Sequence, residues 1–236
     1  LKIAKMYSNK TTFISTTRAF HGKSLGSLSG TAKGVFRKPF LPLIPGFRHV
    51  PFGDIEYLRK TFEVCAFVAT HVAAAIIEPI QGEGGVIPAP VKFLQTIRRV
   101  TKELGIPMIV DEIQCGIGRS GKFFAFEYAD IVPDVILASK AIGGSQPLAV
   151  VIYNKELDKW NPGAHAGTFR GNQLAMRAGT TLIKRVSQPE FLNEVVEKGT
   201  YMRDRLLELK KKVSIIGDIR EKGLMMGIEF VDPNAT

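Results

Sequence analysis

Residues 135–144 read Val-Ile-Leu-Ala-Ser-Lys-Ala-Ile-Gly-Gly, an apolar run of strand length that ends in a lysine and a glycine pair. Together with similar segments, this run defines five predicted strands, at residues 12–15, 73–77, 107–110, 134–138 and 148–153. Four of the five are almost wholly apolar, which is typical of strands buried on both faces of a mostly parallel sheet that helices cover. The sequence therefore predicts an α/β fold.

Amphipathic stretches separate several of these strands. Residues 91–104 carry apolar side chains at helical spacing and are followed by Gly105, which predicts a crossover helix between the second and third strands. A second helix is predicted from about residue 171 to beyond 182, and a long, charged third helix over residues 189–212. Residues 1–6 have the pattern of the last turns of a helix. The alternation of strands and helices supports the α/β prediction.

The pattern changes after residue 212. Residues 223–230 read Gly-Leu-Met-Met-Gly-Ile-Glu-Phe, which predicts a glycine-flanked strand at the start of a new substructure. We therefore expect residues 1–187 to form a large domain. Residues 188–236 are expected to hold the long linking helix and the beginning of a small carboxyl-terminal domain.

The composition of the 236-residue chain is that of an ordinary globular protein, with 45% hydrophobic and 23% charged residues. The net charge of +10 suggests polyanion binding, but the one triple lysine run, at residues 210–212, falls at the predicted end of a helix, where cations are favoured by the helix dipole. No secretory leader or membrane span is predicted. Cys65 and Cys115 lie outside any Cys/His cluster, so neither a disulfide framework nor a metal site is expected. Two cysteines without these roles favour a reducing compartment, and we therefore expect a cytoplasmic location.

Polar side chains collect where three of the predicted strands end. Glu78 follows the strand at 73–77 and leads into a glycine-rich turn that carries Glu83. Both carboxylates are also compatible with ordinary loop or capping roles. The carboxyl ends of parallel strands meet at one edge of a sheet, where α/β proteins form their ligand crevice. We therefore expect this turn to lie near the residues that follow the strands at 107–110 and 134–138.

Asp111 and Lys140 are the residues at these strand ends that suggest chemistry. Alternation along a strand directs Asp111 and Ile113 to one face and Glu112 to the other. A carboxylate beside an aliphatic side chain suits a heteroaromatic ring whose nitrogen must stay protonated. Lys140 follows an apolar strand, so partial desolvation is expected, which would favour the neutral amine that condenses with an aldehyde. Lysines at strand ends, however, often simply extend into solvent.

Four motifs in this order, E-P-I-Q-G-E-G-G at 78–85, V-D-E-I-Q at 110–114, S-K-A-I-G-G at 139–144 and H-A-G-T-F-R-G-N at 165–172, resemble the class III aminotransferases. This is the ornithine, 4-aminobutyrate and diaminobutyrate group of fold-type I enzymes, which use pyridoxal 5'-phosphate. The resemblance covers nearly the whole chain. It implies a fold-type I large domain followed by the beginning of the small domain.

The resemblance also implies roles for residues around the cofactor ring. Lys140 would hold the cofactor covalently and transfer protons during the reaction. Asp111 would pair with the protonated ring nitrogen, Gln114 would reach the phenolic oxygen, and Ile113 would pack on one face of the ring.

Further roles follow for the turns around the ring. Phe20 would stack on the second ring face, with His21 completing its turn, although a phenylalanine alone is more often a core residue. Glu78 and Glu83 match carboxylates near the cofactor and the substrate entrance. Thr168 matches a threonine that contributes to the phosphate site of the neighbouring subunit, which implies a homodimer with shared active sites. The segment around Thr168 also suits phosphate binding through its hydroxyl and backbone N–H groups, or a simple helix cap.

The activity implied by the resemblance is transfer of the terminal amino group of 2,4-diaminobutyrate, or a related ω-amino compound, to 2-oxoglutarate. Putrescine, ornithine or 4-aminobutyrate are alternative donors, and an aminomutase or an inactive binding fragment are alternative functions. Ser145 and Gln146 depart from the family pattern in the loop after the lysine. Family members are usually longer than this chain, with a phosphate loop before residue 1 and a substrate-binding arginine after residue 236.

Overall fold

The computed structural model describes residues 1–232, and its central element is a sheet between two layers of helices. The strands are β1 Thr12–Thr16, β2 Phe47–Val50, β3 Val72–Ile77, β4 Ile80–Gln81, β5 Ile87–Pro88, β6 Met108–Asp111, β7 Val135–Ala138, β8 Val150–Tyr153, β9 Ile216–Lys222 and β10 Met225–Phe230. The helices are α1 Lys2–Ser8, α2 Leu25–Gly30, α3 Gly34–Arg37, α4 Ile55–Phe67, α5 Val91–Glu103, α6 Gln173–Val186 and α7 Pro189–Lys210. Short 3-10 helices cover Lys38–Phe40, Ala125–Ala129, Lys140–Gly143 and Lys155–Leu157.

The main sheet has six strands in the order β2-β1-β3-β6-β7-β8. All neighbours are parallel except β7 and β8, which are antiparallel. Every residue of β1, β3 and β6 is buried, because helices pack on both faces. The predicted α/β fold with a mostly parallel sheet is therefore confirmed.

Side chains that alternate along the strands form two cores. Ala75 and Ile77 of β3 face α4 and α5, where Phe93 is completely buried. Ala74 and Ile76 face the opposite side, where they pack against α1. Neighbouring residues thus supply different layers. The two layers leave the carboxyl ends of β3, β6 and β7 at one edge of the sheet.

The last described segment forms a separate antiparallel hairpin. The long helix α7 leads into β9, which pairs with β10 from Met225↔Lys222 to Phe230↔Ile216. The strand predicted at 223–230 is present, with Gly223 at the turn in a positive-φ conformation of 59°. The division at residue 187 stays a prediction, and residues 233–236 of the predicted second domain lie outside the described residues.

The structure also contains elements that the sequence patterns did not predict. Helix α4 begins at an N-cap, Asp54, whose carboxylate accepts the Tyr57 N–H at 2.8 Å. Strand β2 is the short outermost strand of the sheet. It includes Arg48 and His49, so its sequence is not an apolar run. The third predicted helix ends at Lys210, whose Nζ donates to the Gly217 carbonyl at 2.6 Å. Among residues 1–232, no helix is long and apolar enough to cross a membrane.

Candidate active site

Asp111 and Lys140 lie at the ends of neighbouring strands. Asp111 pairs with Leu137 in the register of β6 and β7. The next residue, Glu112, continues this pairing by donating its N–H to the Leu137 carbonyl at 2.9 Å. Lys140 follows Leu137 by three residues and begins a 3-10 helix. The parallel pairing thus brings two of the predicted site residues to the same edge of the sheet.

The Asp111 carboxylate is buried and held from two sides. Its Oδ1 accepts the Ile113 N–H at 3.1 Å, and its Oδ2 lies 2.9 Å from Nδ1 of His21. Asp111 is 4% exposed, and the His21 side chain is 2% exposed. An ionised carboxylate can only accept hydrogen bonds, so Nδ1 of His21 donates. The opposite ring nitrogen, Nε2, is buried and has no partner among the described residues.

Lys140 is exposed, so the expectation that it is partly desolvated is wrong for this chain. The strand before it ends at Ala138, and the Ser139 hydroxyl donates to the Leu148 carbonyl at 2.8 Å. Lys140 also has a φ of +50°, which is uncommon for a residue with a side chain. Backbone strain of this kind concentrates at functional sites. In residues 1–232, its amine has no hydrogen bond or ion pair.

Glu78 connects two turns at the end of β3. Its Oε1 accepts the Phe20 N–H at 2.9 Å, and its Oε2 accepts the Gly82 N–H at 3.1 Å. The carboxyl group is 3% exposed, and burial raises its pKa to about 7. Glu78 therefore links the glycine-rich turn to the turn of Phe20 and His21, which contacts Asp111 through His21.

Gln114 packs closely on the glycine-rich turn. A Cβ added to Gly82 would lie 2.4 Å from its Oε1, so only glycine leaves room for this side chain. Ile113 is half-buried, and the ring of Phe20 is half-buried in an edge contact with Phe36, with 5.6 Å between centroids. Phe20, Ile113 and Gln114 therefore lie with partly accessible side chains around the buried Asp111.

Two predicted site residues are exposed and form no hydrogen bond with this cluster in the described residues. Glu83 is exposed in the turn between β4 and β5. Thr168 is exposed in the segment before α6, where Arg170 contacts His165 and the Lys2 amine lies 3.2 Å from Nδ1 of His165. In the described part of the chain, Thr168 makes no hydrogen bond to any other candidate residue. The structure does not bring it to Asp111 or Lys140 within one chain.

Glu112 is a buried carboxyl that sequence reasoning did not include in the site. It is completely buried and accepts three hydrogen bonds, from Ala125 N–H at 3.0 Å, Phe126 N–H at 2.8 Å and Cys115 Sγ at 3.1 Å. Burial raises its pKa to about 7. The alternation of side chains along the strand predicted that Glu112 points away from Asp111, which indicated a separate role. In the structure, Glu112 holds the loop that follows Asp111 through these hydrogen bonds.

A buried amide, Gln81, was also missed. Its Nε2 donates to the Thr17 carbonyl at 2.8 Å and to Thr16 Oγ1 at 3.2 Å, which ties β4 to the end of β1. Gln81 lies inside the motif at residues 78–85, and nothing in the sequence distinguishes it from the other turn residues. Within residues 1–232, no group of three His, Cys, Asp or Glu side chains is placed to hold a metal ion.

The family model of class III aminotransferases matches residues 1–236. The chain therefore belongs to the class III aminotransferase family, whose members depend on pyridoxal 5'-phosphate.

Individual relatives agree with the family. The chain is 44% identical to the diaminobutyrate–2-oxoglutarate aminotransferase of Rhizobium meliloti (strain 1021), with 99% of this chain and 53% of that protein covered. The ornithine aminotransferase of Toxoplasma gondii ME49 superposes with a TM-score of 0.89 at 28% identity, over 98% of this chain and 56% of that one. A PLP-bound amine transaminase from an uncultivated Pseudomonas species superposes with a TM-score of 0.88 at 26% identity, over 98% and 59%. The chain spans about half the length of these relatives.

The residues at this edge fit the family's cofactor. Asp111 is a buried carboxylate, and in residues 1–232 no lysine or arginine pairs with it. Burial of such a group is costly unless a further cationic donor neutralises it. A protonated pyridine nitrogen is a donor of that kind. Phe20 and Ile113, which adjoin His21 and Asp111 in the chain, have half-buried apolar side chains.

Proposed function

We propose that the protein containing this chain is a PLP-dependent aminotransferase that moves the terminal amino group of 2,4-diaminobutyrate, or a related ω-amino compound, to 2-oxoglutarate. The products would be glutamate and the corresponding semialdehyde. The observation that carries the proposal is the buried pair of Asp111 and His21. Asp111 ends β6, and the neighbouring strand β7 leads to Lys140. The 44% identity with a protein of the named activity supports the choice of substrates.

Five residues would hold the cofactor. Lys140 would bind it covalently through Nζ, since this amine is accessible and has no partner in the described structure. Asp111 would hold the ring nitrogen protonated, because its negative charge is buried and oriented by His21 and Ile113 N–H. Phe20 and Ile113 would pack against the ring, and Gln114 would donate to the phenolic oxygen.

The chemical work divides between the cofactor and the chain. When bound, pyridoxal phosphate supplies an electron-poor ring that accepts the electron pair left when the substrate carbon loses its proton. Asp111 would favour this by keeping the ring nitrogen cationic. Lys140 would act through its free amine: as a general base it would take the proton from the substrate carbon, and as a general acid it would deliver that proton to the adjoining carbon of the cofactor.

The assembly, the domains and the location belong to the same proposal. Thr168 would serve the phosphate site of a second copy in a homodimer, and its exposure in its own chain supports this. Residues 188–236 would begin the small domain, supported by the packing of α7 on the β9–β10 hairpin. A cytoplasmic location is supported by Cys65 and Cys115, both of which are free thiols.

The test is a donor screen with the full-length protein loaded with pyridoxal phosphate. Glutamate formation from 2-oxoglutarate would be measured with 2,4-diaminobutyrate, putrescine, ornithine and 4-aminobutyrate. We expect diaminobutyrate to give the highest kcat/KM. Preference for another donor would overturn the substrate assignment, and turnover without a keto acid would indicate an aminomutase.

Lys140→Ala tests the cofactor assignment in the same protein. We expect loss of the visible absorbance of the lysine-bound cofactor and a fall in kcat of at least about 1,000-fold. Lys155→Ala, which removes an exposed lysine from another 3-10 helix, is the matched control and should change neither. Persistence of the absorbance in Lys140→Ala would show that another group holds the cofactor.

A further inference from the structure

The glycine-rich turn that carries Glu83 is held at both ends. At its start, the Gly82 N–H donates to the buried Glu78 carboxylate at 3.1 Å. Near its end, the Gly85 carbonyl accepts a hydrogen bond of 2.9 Å from Nε of Arg220, which is 135 residues further along the chain on β9. The turn is therefore fixed to the main sheet on one side and to the β9–β10 hairpin on the other.

Arg220 is itself held in place by carboxylates from both strands of the hairpin. Its Nη1 lies 2.5 Å from Asp218 Oδ2 and 2.7 Å from Glu229 Oε2, and its side chain is 24% exposed. The guanidinium is a planar fork, so fixing one nitrogen also fixes the direction of the others. The two carboxylates thus aim Nε at the Gly85 carbonyl.

The turn needs this support because its backbone is strained. Val86 has a φ of +53°, a conformation that is costly for a β-branched residue. Its side chain packs with Ile80, Cys115 and Met225, the last of which belongs to β10. A Cβ on Gly227 would lie 2.9 Å from the Gly85 oxygen and 3.0 Å from the Val86 Cβ. The backbone of the hairpin is therefore in direct contact with the turn. This packing offsets the strain of the Val86 backbone.

Glu83 depends on the turn backbone for its position. It is exposed, and in residues 1–232 its carboxylate has no hydrogen-bond partner. The direction of its side chain is therefore set by the backbone of the turn, which is closed by the N–H groups of Gly85 and Val86 donating to the Gly82 carbonyl at 3.1 and 3.2 Å.

We infer that Arg220 is a positioning residue for Glu83: through Gly85, the β9–β10 hairpin sets where the Glu83 carboxylate meets the amino substrate. The substrate contact of Glu83 follows from the place beside the substrate entrance that the family resemblance implies for it, and it rests on the proposed function. The coupling of hairpin and turn is a property of the folded chain and is tested separately.

The first experiment measures amide hydrogen exchange in the segment that contains Gly85 and Val86, in the full-length protein. In Arg220→Ala, exchange there should be about tenfold faster, because the turn loses its external support. Arg203→Ala is the matched control: it removes an ion pair of 3.1 Å to Glu221 on the same strand but no contact with the turn. Equal exchange in wild type and Arg220→Ala would overturn the inference. Arg220→Lys keeps the charge but loses the planar guanidinium, so it should also show faster exchange than the wild type. This variant replaces Arg220→Ala in the experiment if the alanine variant does not fold.

The second experiment is a kinetic double-mutant cycle with the cofactor-loaded protein. Arg220→Ala should raise KM for the amino donor about tenfold while kcat changes by less than about threefold and the cofactor absorbance stays the same. Added to Glu83→Gln, it should cause little further change, because it acts through Glu83. Independent, multiplicative effects of the two substitutions would overturn the inference. Absence of aminotransferase activity in the wild type would instead contradict the proposed function. The hydrogen-exchange experiment would then still test whether the hairpin supports the turn of Glu83.

Discussion

Nδ1 of His21 lies 2.9 Å from Oδ2 of Asp111, and both side chains are almost completely buried at the carboxyl end of β6. The histidine orients one carboxylate oxygen while the backbone N–H of Ile113 orients the other. Each oxygen keeps a lone pair free, since a carboxylate offers about four acceptor positions. The pair therefore presents a directed negative charge beside the strand that leads to Lys140.

Asp111→Asn tests this charge. The amide keeps the shape of the side chain but not the charge that would hold a ring nitrogen protonated. We expect kcat to fall at least about 100-fold, with a shift in the pH dependence of the cofactor absorbance. Asp134→Asn is the control, because Asp134 lies at the opposite edge of the same sheet, where it accepts the Met108 N–H at 2.8 Å. That variant should lose stability without changing the absorbance, and an unchanged kcat in Asp111→Asn would contradict the assigned role.

Gly82→Ala tests the close contact with Gln114. The new methyl group would lie 2.4 Å from Gln114 Oε1, so the glutamine must move away from the ring position. We expect the Kd for pyridoxal phosphate, measured by absorbance titration, to rise about tenfold as one hydrogen bond is lost. Gly34→Ala is a suitable control because a Cβ there meets nothing within 4 Å. Equal affinities in the two variants would exclude Gln114 from the cofactor site.

Glu112→Gln tests the buried carboxyl behind Asp111. Burial raises the pKa of Glu112 from 4.5 to about 7, so between these values the folded protein keeps a proton that the unfolded chain has lost. The free energy of unfolding should therefore fall as pH rises from 4.5 to 7, by on the order of 3 kcal/mol for this group. Glu78 adds to the fall in the same pH range.

In Glu112→Gln the contribution of this residue should disappear, and the pH dependence measured by urea unfolding should become flatter. The variant should also be less stable at pH 5 by about 1–3 kcal/mol, because the amide replaces an acceptor of backbone N–H groups. Glu127→Gln, which changes an exposed carboxyl in the neighbouring 3-10 helix, is the control and should keep the fall that Glu112 contributes. An unaltered pH dependence in Glu112→Gln would show that this residue does not titrate in that range.

The parts of the fold that sequence patterns predicted are those that depend on local burial. Strands β3, β6 and β7 lie inside the sheet, so their apolar runs are visible without any partner. Strand β2 escaped notice because an edge strand with Arg48 and His49 has no such run. Helix α4 was missed although Asp54 provides an N-cap signal, since its exposed face includes Val64 and Phe67 and blurs the helical pattern.

The sequence by itself determined the α/β class, the strand ends that carry Asp111 and Lys140, and the family, because strand alternation and ordered motifs are local properties of the chain. Only the tertiary structure decided that His21 holds Asp111 across 90 residues, that Lys140 is exposed, and that Arg220 reaches the turn of Glu83. Contacts of this kind depend on how strands pair and how turns pack, and no local pattern specifies which distant side chains will meet.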